Sequence, residues 1–312
     1  MARAWRAGLA SCLAAGLAFA APAAGAPTPR IAALAATLHD ASPGAPVMVI
    51  AHRGCWKNAP ENSIAAIEAC IRIGIDMVEI DVRRTRDGQL VLMHDPTVNR
   101  TTDGIGAVAA MDGAAVRRLR LRRQGGRGTP VTAHTVPTLE EALLAARGRI
   151  LVNLHLKVPV EDQVMALVDR LGMNAEVLMK RGGHPNTRHV ATSPFAGRAY
   201  FMPQVRQCAK GPPLACSKRP RVPLAAWKDY DPVAYELVFR DLSWFEAAAA
   251  QARTLDRRIW VSTITPAMAA GIDDRAALAD PEGHWGRLIA MGASMIQTDE
   301  PEALVDWLKH RH

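Results

Sequence analysis

Eight short apolar or β-branched runs, at 47–51, 77–81, 150–156, 176–179, 199–202, 234–239, 258–263 and 294–298, are spaced along the chain with helical patterns between them. Alternation of strand and helix calls for a parallel sheet covered by helices, and eight is the number that closes a (β/α)8 barrel. The expected fold is therefore a TIM barrel, with an open doubly wound sheet as the alternative. Residues 27–312 suit one such domain.

The helical stretches include Ser63 to Ile73, Thr138 to Ala146, Val160 to Leu171, Leu242 to Leu255 and Pro301 to His310. Asn62 or Ser63 signals one helix start, and Thr138 followed by Glu141 is a capping-box pattern at another. One segment departs from the alternation. Glu79 to Thr85 runs through Arg86-Asp87-Gly88 into Gln89 to His94, the pattern of a hairpin. A turn centred on Asp87-Gly88 would set residue 81 nearly opposite residue 94, bringing Asp81 and His94 to one end of the ladder. Residues 95–136, rich in Thr, Gly and Arg, read as a small insertion after the second strand. Residues 181–198 and 204–233 read as long loops at the strand ends where barrel enzymes build selectivity.

Residues 1–26 read as an export signal, with Arg3 and Arg6 ahead of the small apolar run Ala7 to Ala21. Pro27 and Pro29 would follow as an unstructured lead-in. Leu9 to Cys12 resembles a lipoprotein box but lies ahead of most of the apolar run. That run is too short to span a bilayer, so no stable membrane insertion is expected, and the mature protein would be periplasmic or secreted. The net charge of +8 falls to +6 without Arg3 and Arg6, and Arg117 to Arg127 carries much of the excess. This balance suits an anionic substrate, or simply a solvated helix and loop. There is no nucleic-acid motif. Of the four remaining cysteines, Cys208 and Cys216 are expected to bridge the Pro-rich loop between them, leaving Cys55 and Cys70 as buried thiols or an unrelated pair.

The first strand ends in His52-Arg53-Gly54, a suitable place to meet a phosphate. Glu79 and Asp81, at i and i+2 on a strand, face the same side, as ligands for a divalent cation or as partners of Arg83 or Arg84. His155 and Lys157 share a face by the same spacing, and Lys157 could neutralise charge on a phosphoryl group.

Ala51-His52-Arg53-Gly54, Pro60-Glu61-Asn62-Ser63, Gly74 to Asp81, Thr85-Arg86-Asp87-Gly88, His94-Asp95-Pro96 and Arg100-Thr101-Thr102 together closely resemble the glycerophosphodiester phosphodiesterase family. The likeness recurs at Pro137 to Ala142, Asn153 to Lys157 and Gln297 to Pro301, and is thin between about 180 and 290. It implies a TIM barrel that hydrolyses a small phosphodiester to glycerol 3-phosphate and an alcohol. It also implies His52 and His94 as the catalytic pair, Arg53 and Lys157 as phosphate contacts, and Glu79 and Asp81 as ligands of Ca²⁺ or Mg²⁺. Imidazoles titrate near neutral pH, so one can activate a nucleophile while the other protonates the leaving alkoxide. His94 is expected to be the acid. The nucleophile is a substrate hydroxyl, a water or a histidine.

Two positions depart from the family pattern. His155 stands where relatives carry the third carboxylate ligand, which opens the site to Mn²⁺ or Zn²⁺. Ser262 stands where many relatives carry a Trp that lines the substrate pocket, with Glu236 either facing the lumen or pairing with an arginine. The competing functions are a phospholipase D-like or lysophospholipid phosphodiesterase and a non-catalytic phosphodiester-binding barrel.

Overall fold

A computed structural model describes residues 26–182, 193–207 and 223–311. Its strands are β1 Met48–His52, β2 Met77–Arg84, β3 Leu90–Leu92, β4 Arg120–Arg122, β5 Val131–Thr135, β6 Leu151–Leu156, β7 Val177–Gly182, β8 Tyr200–Arg206, β9 Ala234–Val238, β10 Arg258–Ser262 and β11 Met295–Thr298. The helices are α1 Pro29–His39, α2 Ile64–Ile73, α3 Gly113–Val116, α4 Leu139–Ala146, α5 Glu161–Leu171, α6 Leu242–Thr254, α7 Asp274–Ala279, α8 Arg287–Ala290 and α9 Pro301–His310. Strands β1, β2 and β6 to β11 pair in parallel, and β1 closes the ring by pairing with both β2 and β11. This is the closed barrel the alternation predicts, and each of its eight strands starts within one residue of an expected run. Side chains alternate between two apolar environments. Val78, Ile80, Val152 and Leu154 pack outward under the helices, while Met77, Leu151, Leu178 and Met295 fill the lumen at the strands' N-terminal ends. Burial on both faces is why the strands read as nearly continuous apolar runs.

The N-terminal lead-in is not unstructured. Pro29 opens α1 at the one turn where a missing N–H costs nothing, and the Thr28 hydroxyl caps it by accepting the Ile31 N–H. Ile31, Leu34 and Leu38 fall on one face and close the lumen beneath Met48, Ile50 and Trp260. The buried Arg258 guanidinium ties the end of this plug to the barrel, donating to the carbonyls of Thr37, Asp40, Pro46 and Ser294. At the start of α2 the Ser63 hydroxyl accepts the Ala66 N–H, and Thr138 and Glu141 complete the expected capping box on α4.

The hairpin forms and brings Asp81 and His94 to one end as expected, but one residue away from the register that a turn centred on Asp87-Gly88 would give. Val82 faces Leu92, and the Met93 N–H, not that of His94, reaches the Asp81 carbonyl. The cause is the turn. Thr85 and Gln89 close a three-residue loop with Gly88 at φ 89°, so the pair centres on Asp87 instead of on Asp87-Gly88. Residues 95–136 form the expected insertion, with a small core of Val98, Val108, Val116 and Leu121 and a separate β4–β5 sheet.

Cys55 and Cys70 are not thiols but a pair of their own, joined in a disulfide. The backbone sets it up, because the Cys55 N–H donates to the Ala66 carbonyl of α2 and brings the two Cα atoms to 5.3 Å. The expected Cys208–Cys216 bridge lies outside the described residues.

Candidate active site

Adjacent parallel strands deliver the site residues to the barrel's C-terminal rim. The β1–β2 register sets His52 beside Glu79, and the β2–β6 register sets Asp81 beside His155. Since Ala51 of β1 pairs with Thr298 of β11, the next residues, His52 and Asp299, also meet. The His52 ring Nδ1 lies 2.8 Å from Asp299 Oδ1, which also accepts the Trp56 indole N–H at 2.6 Å. Asp299 is itself held, its N–H donating to the buried Asp274 at 2.7 Å. The Thr263 and Thr298 hydroxyls also donate to Asp274. Burial pushes the Asp274 carboxyl up to about 6, against the pull of these three donors.

Glu79 and Asp81 project into the lumen with no solvent exposure. Each spends one oxygen on the loop after β1: Glu79 Oε2 accepts the Arg53 N–H at 3.1 Å, and Asp81 Oδ2 accepts the Asn62 amide at 2.9 Å. Asn62 also accepts the Asp81 N–H at 2.9 Å. Arg53 and Asn62 reach these bonds from left-handed backbone, at φ 55° and 53°. The other two oxygens, Glu79 Oε1 and Asp81 Oδ1, are buried without a hydrogen bond among the described residues. His155 Nδ1 lies 3.3 Å from the first and 3.5 Å from the second. The Lys157 ammonium lies 2.9 Å from Asp81 Oδ1, an ion-pair contact outside hydrogen-bond geometry. Arg83, one of the expected alternative partners, instead donates to the His94 carbonyl. Burial raises the Glu79 carboxyl, but the close approach of the His155 imidazole and the charges of His52 and Lys180 outweigh it and hold Glu79 below the usual carboxylate range.

One donor atom each from Glu79, Asp81 and His155 lie within 4.8 Å of one another. Two buried carboxylate oxygens that accept no hydrogen bond, with an imidazole nitrogen beside them, fit a divalent cation, which takes such oxygen and nitrogen donors.

His94 leaves the hairpin one residue past the ladder, and its Nδ1 lies 2.7 Å from Asp95 Oδ1. Arg100 donates to both Asp95 oxygens and to both oxygens of Glu61, which in turn accepts from Arg53 at 3.1 Å. Carboxylates and guanidiniums thus alternate from His94 through Asp95, Arg100 and Glu61 to Arg53. Burial holds the His94 imidazole below its ordinary value, opposed by Asp95. The hydrogen bonds from Arg100 hold the Asp95 carboxyl well below the carboxylate range.

All seven site residues expected from the sequence gather at this rim. Those it did not assign are their supports: Trp56, Glu61, Asp95, Arg100, Asp274 and Asp299. All but Trp56 and Asp274 lie inside quoted motifs, where the sequence shows a charge but not its partner. Glu236 does face the lumen, and its partner is the buried Lys180 at 3.3 Å, not an arginine. Ser262 is also buried, so it does not line the open cleft. That cleft, of about 350 Å³, lies beside His155 and Lys157 and is walled by Arg181, Phe195 and Gln204.

The sequence from residue 52 to 303 matches the model of the glycerophosphoryl diester phosphodiesterase family. The chain belongs to this family. It is 33% identical over 150 residues to a glycerophosphodiester phosphodiesterase of Caldanaerobacter subterraneus subsp. tengcongensis, a stretch covering 46% of this chain and 61% of that one. The chain spans about half to three-fifths of the length of the first curated relatives it matches. Among solved structures, a family member from Parabacteroides distasonis superposes with a TM-score of 0.71 at 20% identity, over 90% of this chain and 92% of that one. An Oleispira antarctica phosphodiesterase, solved in complex with the product sn-glycerol-3-phosphate, superposes with a TM-score of 0.59 at 21% identity, over 84% and 96% of the two chains. At these identities the two structures establish the shared family fold, a closed barrel.

Asn62 is the most economical test of the loop's hold on the carboxylates. Asn62→Ala leaves the Asp81 N–H and one Asp81 oxygen without hydrogen-bond partners, and is expected to lower unfolding stability by about 1–3 kcal/mol in urea titration.

Proposed function

We propose that the protein hydrolyses glycerophosphodiesters to glycerol 3-phosphate and an alcohol, with His52 and His94 carrying the protons. The observation that carries this reading is that each imidazole has its Nδ1 turned to a carboxylate, Asp299 or Asp95, beside the Glu79–Asp81–His155 cluster. A ring held by Nδ1 presents Nε2 to the reaction. His52 Nε2 accepts the proton of the attacking hydroxyl, from the neighbouring glycerol carbon or from water, as its oxygen bonds to phosphorus. His94 Nε2 gives its proton to the departing alkoxide as that P–O bond breaks. Arg53 and Lys157 face the phosphoryl oxygens.

A divalent cation held by Glu79, Asp81 and His155 would supply Lewis-acid neutralisation of phosphoryl charge. An imidazole in place of a third carboxylate favours Mn²⁺ or Zn²⁺ over Ca²⁺ or Mg²⁺. We place the mature protein outside the cytoplasm, in the periplasm or secreted. The apolar N-terminal run and the Cys55–Cys70 disulfide, a bond that persists in oxidising compartments, support that location.

Purified protein is expected to release glycerol 3-phosphate from glycerophosphocholine, to lose the activity in EDTA and to regain it best with Mn²⁺ or Zn²⁺. His52→Ala is expected to lower kcat by about 10²- to 10⁴-fold. Absence of turnover with every cation would refute the reading.

The pH profile tests the roles separately. The Asp95 carboxylate stabilises the His94 imidazolium, so Asp95→Asn lowers the pKa of His94 further, and the acid form is lost at lower pH. The alkaline limb of kcat is expected to move to lower pH in Asp95→Asn. A limb that stays in place would mean that His94 is not the acid.

A further inference from the structure

We infer that the insertion after β3 is a docking surface for anionic phospholipid bilayers and sets the active-site rim against the membrane. Six of the eleven residues from Arg117 to Arg127 are arginine and none is acidic. The nearby acids are already spent: Asp103 pairs with Arg120, Glu141 with Arg117 and Asp112 with Arg86. Arg118, Arg123 and Arg127 are exposed and form no ion pair among the described residues. Exposed arginines without an ion partner, carried by the segments that flank β4, match the negative potential of an anionic leaflet.

A second feature is apolar. Ile105 is 85% exposed, and Val131 of β5 is 37% exposed. Ile105 follows a turn fixed against β4, where the Asp103 N–H donates to the Arg120 carbonyl and the Arg120 N–H returns to Asp103. An isoleucine held out on a turn tied to Arg120 loses in water and gains at a headgroup boundary, the pairing of apolar and basic signals that interfacial binding requires. A nucleic acid fits less well. Residues 95–136 contain no Phe, Tyr or Trp on which a base could stack, and a phosphate backbone offers nothing to Ile105.

The arm is also fastened to the catalytic rim. Arg100, which holds Asp95 and Glu61, donates at 2.7 Å to the carbonyl of Gly125 in the arm's tip. A bilayer engaged by Arg118, Arg123, Arg127 and Ile105 would therefore lie next to the mouth of the site.

The test is co-sedimentation of the purified protein with vesicles of mixed phosphatidylglycerol and phosphatidylcholine, and of phosphatidylcholine alone. Binding is expected only to the mixed vesicles and to weaken with salt. At about fivefold per arginine, the triple variant Arg118→Gln/Arg123→Gln/Arg127→Gln should bind roughly a hundredfold more weakly. Ile105→Ser, with charge unchanged, should weaken binding several-fold. Equal binding to both vesicles, or full binding by the triple variant, overturns the proposal. So does an unaffected Ile105→Ser protein whose binding to single-stranded DNA is lost in the triple variant, since that marks a general polyanion patch. None of these side chains touches the site, so hydrolysis of soluble glycerophosphocholine should be unchanged in every variant, and the two readings can fail separately.

Discussion

Two carboxylates with no exposure to water, Glu79 and Asp81, stand on one face of β2, and the rim of the barrel is organised around them. Their neighbours on β1 and β6 supply His52, His155 and Lys157, and the loop after β1 supplies the Arg53 N–H and the Asn62 amide. Even so, one oxygen on each is left without a hydrogen bond among the described residues. A protein tolerates that desolvation where function needs the charge, and a third donor at His155 shows where a cation would be held.

The histidines are supported from opposite sides by unlike means. His52 leans on Asp299, which hangs from the buried Asp274 between β10 and β11. His94 leans on Asp95, which is held by an arginine–glutamate relay running back to Arg53. The Cys55–Cys70 disulfide closes the segment that carries Glu61 and Asn62, so the loop beneath both the relay and the Asp81 contacts is covalently anchored to α2. A disulfide around a loop of this length adds about 3 kcal/mol by restricting the unfolded chain.

Periodicity made the barrel legible, because each strand is buried on two faces and each outer helix on one. The i, i+2 spacing likewise made the pairing of Glu79 with Asp81, and of His155 with Lys157, legible within single strands. What stayed hidden depends on contacts between distant segments or on backbone detail. Asp299 meets His52 across 247 residues of sequence, and no local pattern announces that. The hairpin register turned on whether the loop had two or three residues, which Arg86-Asp87-Gly88 does not disclose. Helix α1 was hidden by prolines that read as a linker, although Pro29 sits at the one helical turn that accepts it.

The most direct test of this account is calorimetric titration of Mn²⁺ into the metal-free protein and its Asp81→Asn and His52→Ala variants. The expected result is one saturable site per chain, abolished by Asp81→Asn and retained by His52→Ala, which removes the proposed proton carrier but no ligand. Equal binding by the Asp81→Asn protein would contradict the account, since the cation would then lie elsewhere and the buried carboxylates would need another explanation.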